Sequence, residues 1–143
     1  MKQANLQFRA SRRPLSTLSK VMITALVINL CAELFGLFAQ LIFEGFVSIP
    51  LMTIGVVLLI AIGLVITTSK RWVLLLSGLV VLATSVSTVT RPGNVDALLH
   101  PAGDNTFLAV MMAIILLTAL VAIVVGIVAV VQNKSDSQQL VSH

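Results

Sequence analysis

Residues 106–131 read TFLAVMMAIILLTALVAIVVGIVAVV, a run of 26 positions with no charge and with Thr106 and Thr118 as its polar side chains. A helix crossing ~30 Å of hydrocarbon needs about 20 such residues. This run therefore predicts a membrane span, and three more runs precede it: Val21–Phe43, Ser48–Thr67 and Trp72–Thr90. Each is continuous, without the period-two alternation and frequent turns of an outer-membrane barrel, so helices rather than strands satisfy the backbone. The composition agrees. Of 143 residues 58% are apolar and 10% charged, against roughly 45–50% and ~25% in soluble domains. So few charges do not cover a water-soluble exterior. The prediction is an all-α integral membrane protein, a four-transmembrane-helix antiparallel bundle, with membrane lipid as its first partner.

The connections and charges give the orientation. Glu44–Pro50 and Ser69–Arg71 are short links that force antiparallel neighbours, and Pro50 suits the first turn of a helix, where its missing N–H costs little. Lys2, Arg9, Arg12, Arg13, Lys20, Lys70, Arg71 and Lys134 fall on one side of the four spans, with Arg91 alone on the other. The positive-inside rule then places both termini in the cytoplasm, in a plasma or cytoplasmic membrane. Residues 1–20 become a basic cytoplasmic tail able to meet anionic headgroups. Residues 21–131 form the transmembrane domain, 91–105 its outer loop and 132–143 a polar cytoplasmic tail. Trp72, after Lys70-Arg71, is expected as an interfacial anchor. The basic residues flank apolar spans and do not form a phosphate-binding surface, so no nucleic acid is expected. Cys31, the single cysteine, is read as a small buried hydrophobe.

Span one differs from the others. Asn29, Glu33, Gly36 and Gln40 recur at helical spacing and Glu44 extends the series, so the polar residues form one stripe on an otherwise apolar cylinder. Glu33 falls one residue from the centre of Val21–Phe43, where an acid costs about 2.5–3.5 kcal/mol, and no span contains Lys, Arg or His to offset it. Three readings follow: a protonated hydrogen-bonded packing residue, a proton or ion site, and a contact with another subunit. Span three carries the hydroxyls that would satisfy it, Ser77, Thr84, Ser85, Ser87, Thr88 and Thr90, although such hydroxyls also bond back to the i−4 carbonyl. Ala83/Ser87 and Ala122/Gly126 are small-xxx-small pairs suited to close helix packing.

Ala32-Glu33, Gly36 and Glu44-Gly45-Phe46 resemble the first helix of the small multidrug resistance transporters, which also have four short helices. That resemblance covers about fifteen residues and implies proton and cation exchange at Glu33. The chain departs from the family in having no Tyr, in placing Trp72 at the membrane surface, and in the long 91–105 loop.

In that loop Asn94-Val95-Asp96 reads as a helix start with Asn94 as N-cap, and Pro101 ends the segment. Val95, Leu98 and Leu99 are expected to rest on the membrane or the bundle. Asp96, His100 and Asp104 share the outer side as a docking surface, with a weak metal-binding pattern as the sharper reading. His143 falls on the opposite side. The sequence indicates no enzyme class and no cofactor: it contains no nucleophile–base pair, no phosphate-binding glycine loop and no pair of intramembrane histidines for a haem. The leading expectation is a small non-catalytic subunit packing against other membrane proteins or copies of itself. A proton-coupled transporter using Glu33, with Asn29 and Gln40, is the alternative. An outer-face metal-handling protein is the third.

Overall fold

The structure, a computed structural model, describes residues 16–45, 48–68, 70–103 and 105–141, apart from the side chains of 43, 44 and 133–141. Most of the basic tail, Phe46, Asp104 and His143 lie outside the described residues, as do the side chains of Glu44 and Lys134. Five helices follow one another: α1 Thr17–Glu44, α2 Ile49–Thr67, α3 Arg71–Val89, the short α4 Asn94–Leu99, and α5 Asn105–Val141. No strand occurs among the described residues. Thr17–Ile42, Ile49–Thr67, Arg71–Val89 and Asn105–Gln132 are long and apolar enough to cross a membrane, so the chain is a multi-pass membrane protein.

Local chemistry sets the helix ends. Ser16 caps α1 by accepting the Ser19 N–H at 3.1 Å, which starts the helix four residues before the apolar run and draws Lys20 into its first turn. Gly45 stops it at φ 70°, a left-handed backbone that glycine adopts freely, with its N–H on the Leu41 carbonyl. α2 begins with Pro50 in its first turn, as expected. α5 continues past its apolar run, through the polar residues that follow, to Val141. Gln, Lys and Ser there replace the apolar residues without any Gly or Pro to break the ladder.

The four long helices pack in a ring. α1 and α3 each lie against α2 and α5 and also meet each other across the centre, whereas α2 and α5 do not approach. The main core comes from all four, with Met22, Leu26, Leu58, Val65 and Val81 almost fully enclosed among small residues such as Ala122 and Ala129 of α5. A second apolar cluster, Ala32, Met112 and Ile115, lies towards the 91–105 connection, called here the loop end, with Leu98 of α4 packed against it. α4 thus seats Ala97 and Leu98 on the bundle and leaves Val95 and Leu99 exposed. Cys31, contrary to expectation, is on the exposed face of α1, because the buried arc there is taken by Leu30, Ala32 and Glu33.

The closest contact is between α3 and α5. A Cβ on Gly78 would sit 2.8 Å from the Ala122 carbonyl oxygen, and one on Gly126 would sit 2.9 Å from the Leu75 Cα. Those obstacles are backbone and do not yield to a rotamer change. The Ala122/Gly126 pair therefore packs inside the protomer, while Ala83 and Ser87 are exposed. Gly78→Ala and Gly126→Ala are expected to destabilise by about 1–3 kcal/mol through overpacking. Gly36, where an added Cβ meets nothing within 4 Å, is expected to gain up to about 1 kcal/mol as Ala from helix propensity. Thermal unfolding of the three variants in one detergent checks both signs.

Candidate functional site

Asn29 is fully buried where α1, α3 and α5 meet. Its Nδ2 donates to Thr118 Oγ1 at 2.8 Å, with the Ile115 carbonyl at 3.3 Å and Ser85 Oγ at 3.4 Å also in reach. Thr118 passes its own proton to the Ile114 and Ile115 carbonyls at 3.0 and 2.9 Å, which leaves its lone pairs to accept from Asn29. The amide orientation follows from these partners, since the reverse would set Oδ1 against a carbonyl oxygen. As placed, Oδ1 is buried without a partner.

One turn further along α1, Glu33 is 2% exposed, and its Oε1 accepts the Thr88 hydroxyl at 2.8 Å. Of the hydroxyls predicted on span three, Ser85 and Thr88 are the ones that reach the stripe. Thr84 and Thr90 bond back to the Val81 and Val86 carbonyls. Because α1 starts early, the centre of its spanning segment falls beside Asn29, not beside Glu33. Glu33 lies about 5 Å along the axis towards the loop end, at 1.5 Å per residue.

The stripe then divides. Asn29 and Glu33 are buried, Gln40 is half-buried and Gly36 is exposed. Beyond Glu33 none of the described α1 side chains is buried, and the space beside that stretch is a cavity of about 380 Å³. Glu33, Gly36 and Gln40 form one wall, Thr88, Arg91 and Asn94 another, and Phe107, Met111 and Met112 of α5 a third. Two polar atoms in those walls, Gln40 Oε1 and Arg91 Nη2, are buried with no hydrogen-bond partner. Arg91 was not linked to Glu33 in the sequence because it follows span three and does not lie within it. Thr118, the one polar residue between Phe107 and Val131, likewise has a partner that its own run does not indicate.

Asn94 has a different task from the one predicted. Gly93, at φ 89°, occupies the cap position of α4, and the Asn94 side chain turns back to donate to the Thr88 carbonyl at 2.7 Å. That carbonyl belongs to the last turn of α3, where its i+4 residue is Pro92, without an N–H, and the Arg91 N–H reaches it at 3.4 Å. Asn94 thereby holds the residue that in turn holds Glu33. Asp96 and His100 are both exposed, and His100 lies just past the end of α4 with its N–H on the Asp96 carbonyl. Asp104 lies outside the described residues. Among the described residues no group of three or more His, Cys, Asp or Glu gathers to hold a metal.

No protein family, curated protein or solved structure matches the chain. The likeness of residues 32–46 to the small multidrug resistance transporters therefore stands on those residues alone.

Each hydrogen bond between membrane helices is worth about 0.6–2 kcal/mol. Asn29→Ala, which removes three contacts and leaves a void, is expected to cost about 2–4 kcal/mol. A double-mutant cycle of Glu33→Leu with Thr88→Val is expected to show a coupling of about 0.5–2 kcal/mol. Unfolding free energies in mixed micelles measure both, and additive effects at 33 and 88 would mean that the pair does not interact.

Proposed function

We propose that this chain is a non-catalytic subunit that packs against other membrane subunits or against copies of itself. In this reading the four long helices run antiparallel across a plasma or cytoplasmic membrane, with both termini and the 68–70 link in the cytoplasm. The distribution of Lys and Arg supports that orientation, since eight of nine fall on the side assigned to the cytoplasm.

The observation that carries the proposal is how little of the protein stands outside its spanning helices at the loop end. Apart from the six-residue α4, the connections between helices are brief. At that end recognition of another protein would use helix faces and the 91–105 connection, where Asp96 and His100 are exposed. α3 offers such a face. Ala83 and Ser87 are exposed on it one turn apart, while the glycine contacts of the same helix are spent on α5. Small residues allow a second helix to come close. Extraction of native membranes with a mild detergent is expected to recover the chain in an assembly larger than a monomer. Ala83→Leu is expected to release it with its helix content unchanged. A wild-type monomer under the same conditions overturns the proposal.

One observation favours a second reading, proton-coupled transport: Glu33 lines a cavity and is not sealed among apolar side chains. The Asn29–Ser85–Thr118 layer and the main core lie on the other side of Glu33, so transport would require that layer to open. Transport predicts proton release on addition of a cationic substrate in detergent, and its loss in Glu33→Gln. Equal responses of the two proteins would remove this reading.

A further inference from the structure

The cavity at the loop end adjoins a second space. An apolar groove of about 290 Å³ runs along the outer surface between α1 and α5, from Phe35 and Phe107 to Ile28 and Ile114. The two spaces share Ala32, Phe35, Phe107 and Met111 as walls. Phe35 and Phe107 pack against each other there, with ring centroids 5.4 Å apart and planes tilted by 53°. A polar compartment therefore opens beside an apolar channel, on a surface that faces hydrocarbon.

The polar compartment holds complementary unmet groups. Arg91 Nη2 is a buried donor without an acceptor, and Gln40 Oε1 is a buried acceptor without a donor. Glu33 receives one hydrogen bond, from Thr88, and its carboxyl group is part of the same wall. A buried polar group left unpaired costs about 1–3 kcal/mol, so a ligand that supplies both partners gains from both. A simple anion would answer Arg91 and leave Gln40 without a donor and Glu33 with Thr88 alone. A simple cation would do the reverse.

We propose that the cavity and groove together bind one phospholipid whose headgroup carries a primary amine. Arg91 takes the phosphate through a charge-assisted hydrogen bond. The ammonium, with three N–H donors, meets Gln40 Oε1 and Glu33. An acyl chain lies in the groove between α1 and α5. A quaternary choline headgroup has no N–H to give these acceptors, and a glycerol headgroup has no positive charge to set against Glu33. The proposal does not rest on the subunit reading: a monomer and an assembled subunit present the same cavity.

The test is a titration of detergent-purified full chain with phosphatidylethanolamine, phosphatidylcholine and phosphatidylglycerol of identical acyl chains, read as bound lipid by native mass spectrometry. Phosphatidylethanolamine is expected to bind about tenfold or more tightly than either of the others, the size of one charge-assisted hydrogen bond. Arg91→Gln is expected to weaken it by about tenfold. Gly36→Leu fills the cavity from a position where an added Cβ meets nothing within 4 Å, and it is expected to abolish binding while helix content stays at the wild-type level. Equal binding of the three lipids overturns the proposal, as does a preference for phosphatidylglycerol, which would reduce the site to an anion contact. Soluble phosphoethanolamine binding as tightly as the lipid would exclude the groove. Full retention of lipid by a folded Gly36→Leu would place it elsewhere.

Discussion

Hydrocarbon contains no water to complete an unpaired hydrogen bond, so every polar side chain carried into it must be met by another part of the protein. In this chain that demand falls first on Asn29. Its amide reaches the hydroxyls of α3 and α5 and a carbonyl of α5 at once. Those acceptors set how far α1 is shifted along its neighbours and how it is rotated. A slip of one residue would turn Asn29 by about 100° and carry it out of their reach. Apolar packing alone distinguishes such slipped arrangements weakly, because lipid tails solvate leucine as well as a neighbouring helix does. The register of the bundle is thus specified by a polar contact and filled by apolar ones.

The four spanning helices were readable because their signal is additive. Twenty apolar residues in succession have few other solutions, and their boundaries shifted only where a local device intervened, as Ser16 did at the start of α1. The start of α1 was harder to read. Its apolar run begins at Val21, but the Ser16 cap adds a turn of helix before it. Partners on a polar stripe were read in part. Ser85 and Thr88 were among the hydroxyls named in advance, whereas Thr118 and Arg91 depend on how separate helices meet, which no single-helix pattern contains. Asn94 shows a different limit. Its type suits an N-cap, and the structure instead uses it to complete the end of the preceding helix, where Pro92 offers the Thr88 carbonyl no i+4 N–H.

The two polar residues of α1 end up in unlike settings, although the sequence presents them as neighbours on one stripe. Asn29 has three acceptors packed around its amide nitrogen and the main apolar core on one side. Glu33 has Thr88 and then open volume. The contrast follows from the course of α1, which buries Met22, Ala25, Leu26 and Asn29 and leaves its residues beyond Glu33 exposed or half-buried. One end of the stripe serves cohesion, and the other borders a space with unmet hydrogen-bonding groups.

The glycine seam between α3 and α5 also divides the protein mechanically. Where backbone meets backbone at Gly78 and Gly126, no side-chain layer lies between the helices to absorb a displacement, so the pair moves as one stiff plank. α1 rests against that plank through longer side chains, which tolerate tilting and repacking. The cavity lies along this boundary, with α1 as one wall and the ends of α3 and α5, with the connection between them, as the others. A tilt of that one helix about the Asn29 contacts would therefore change its width.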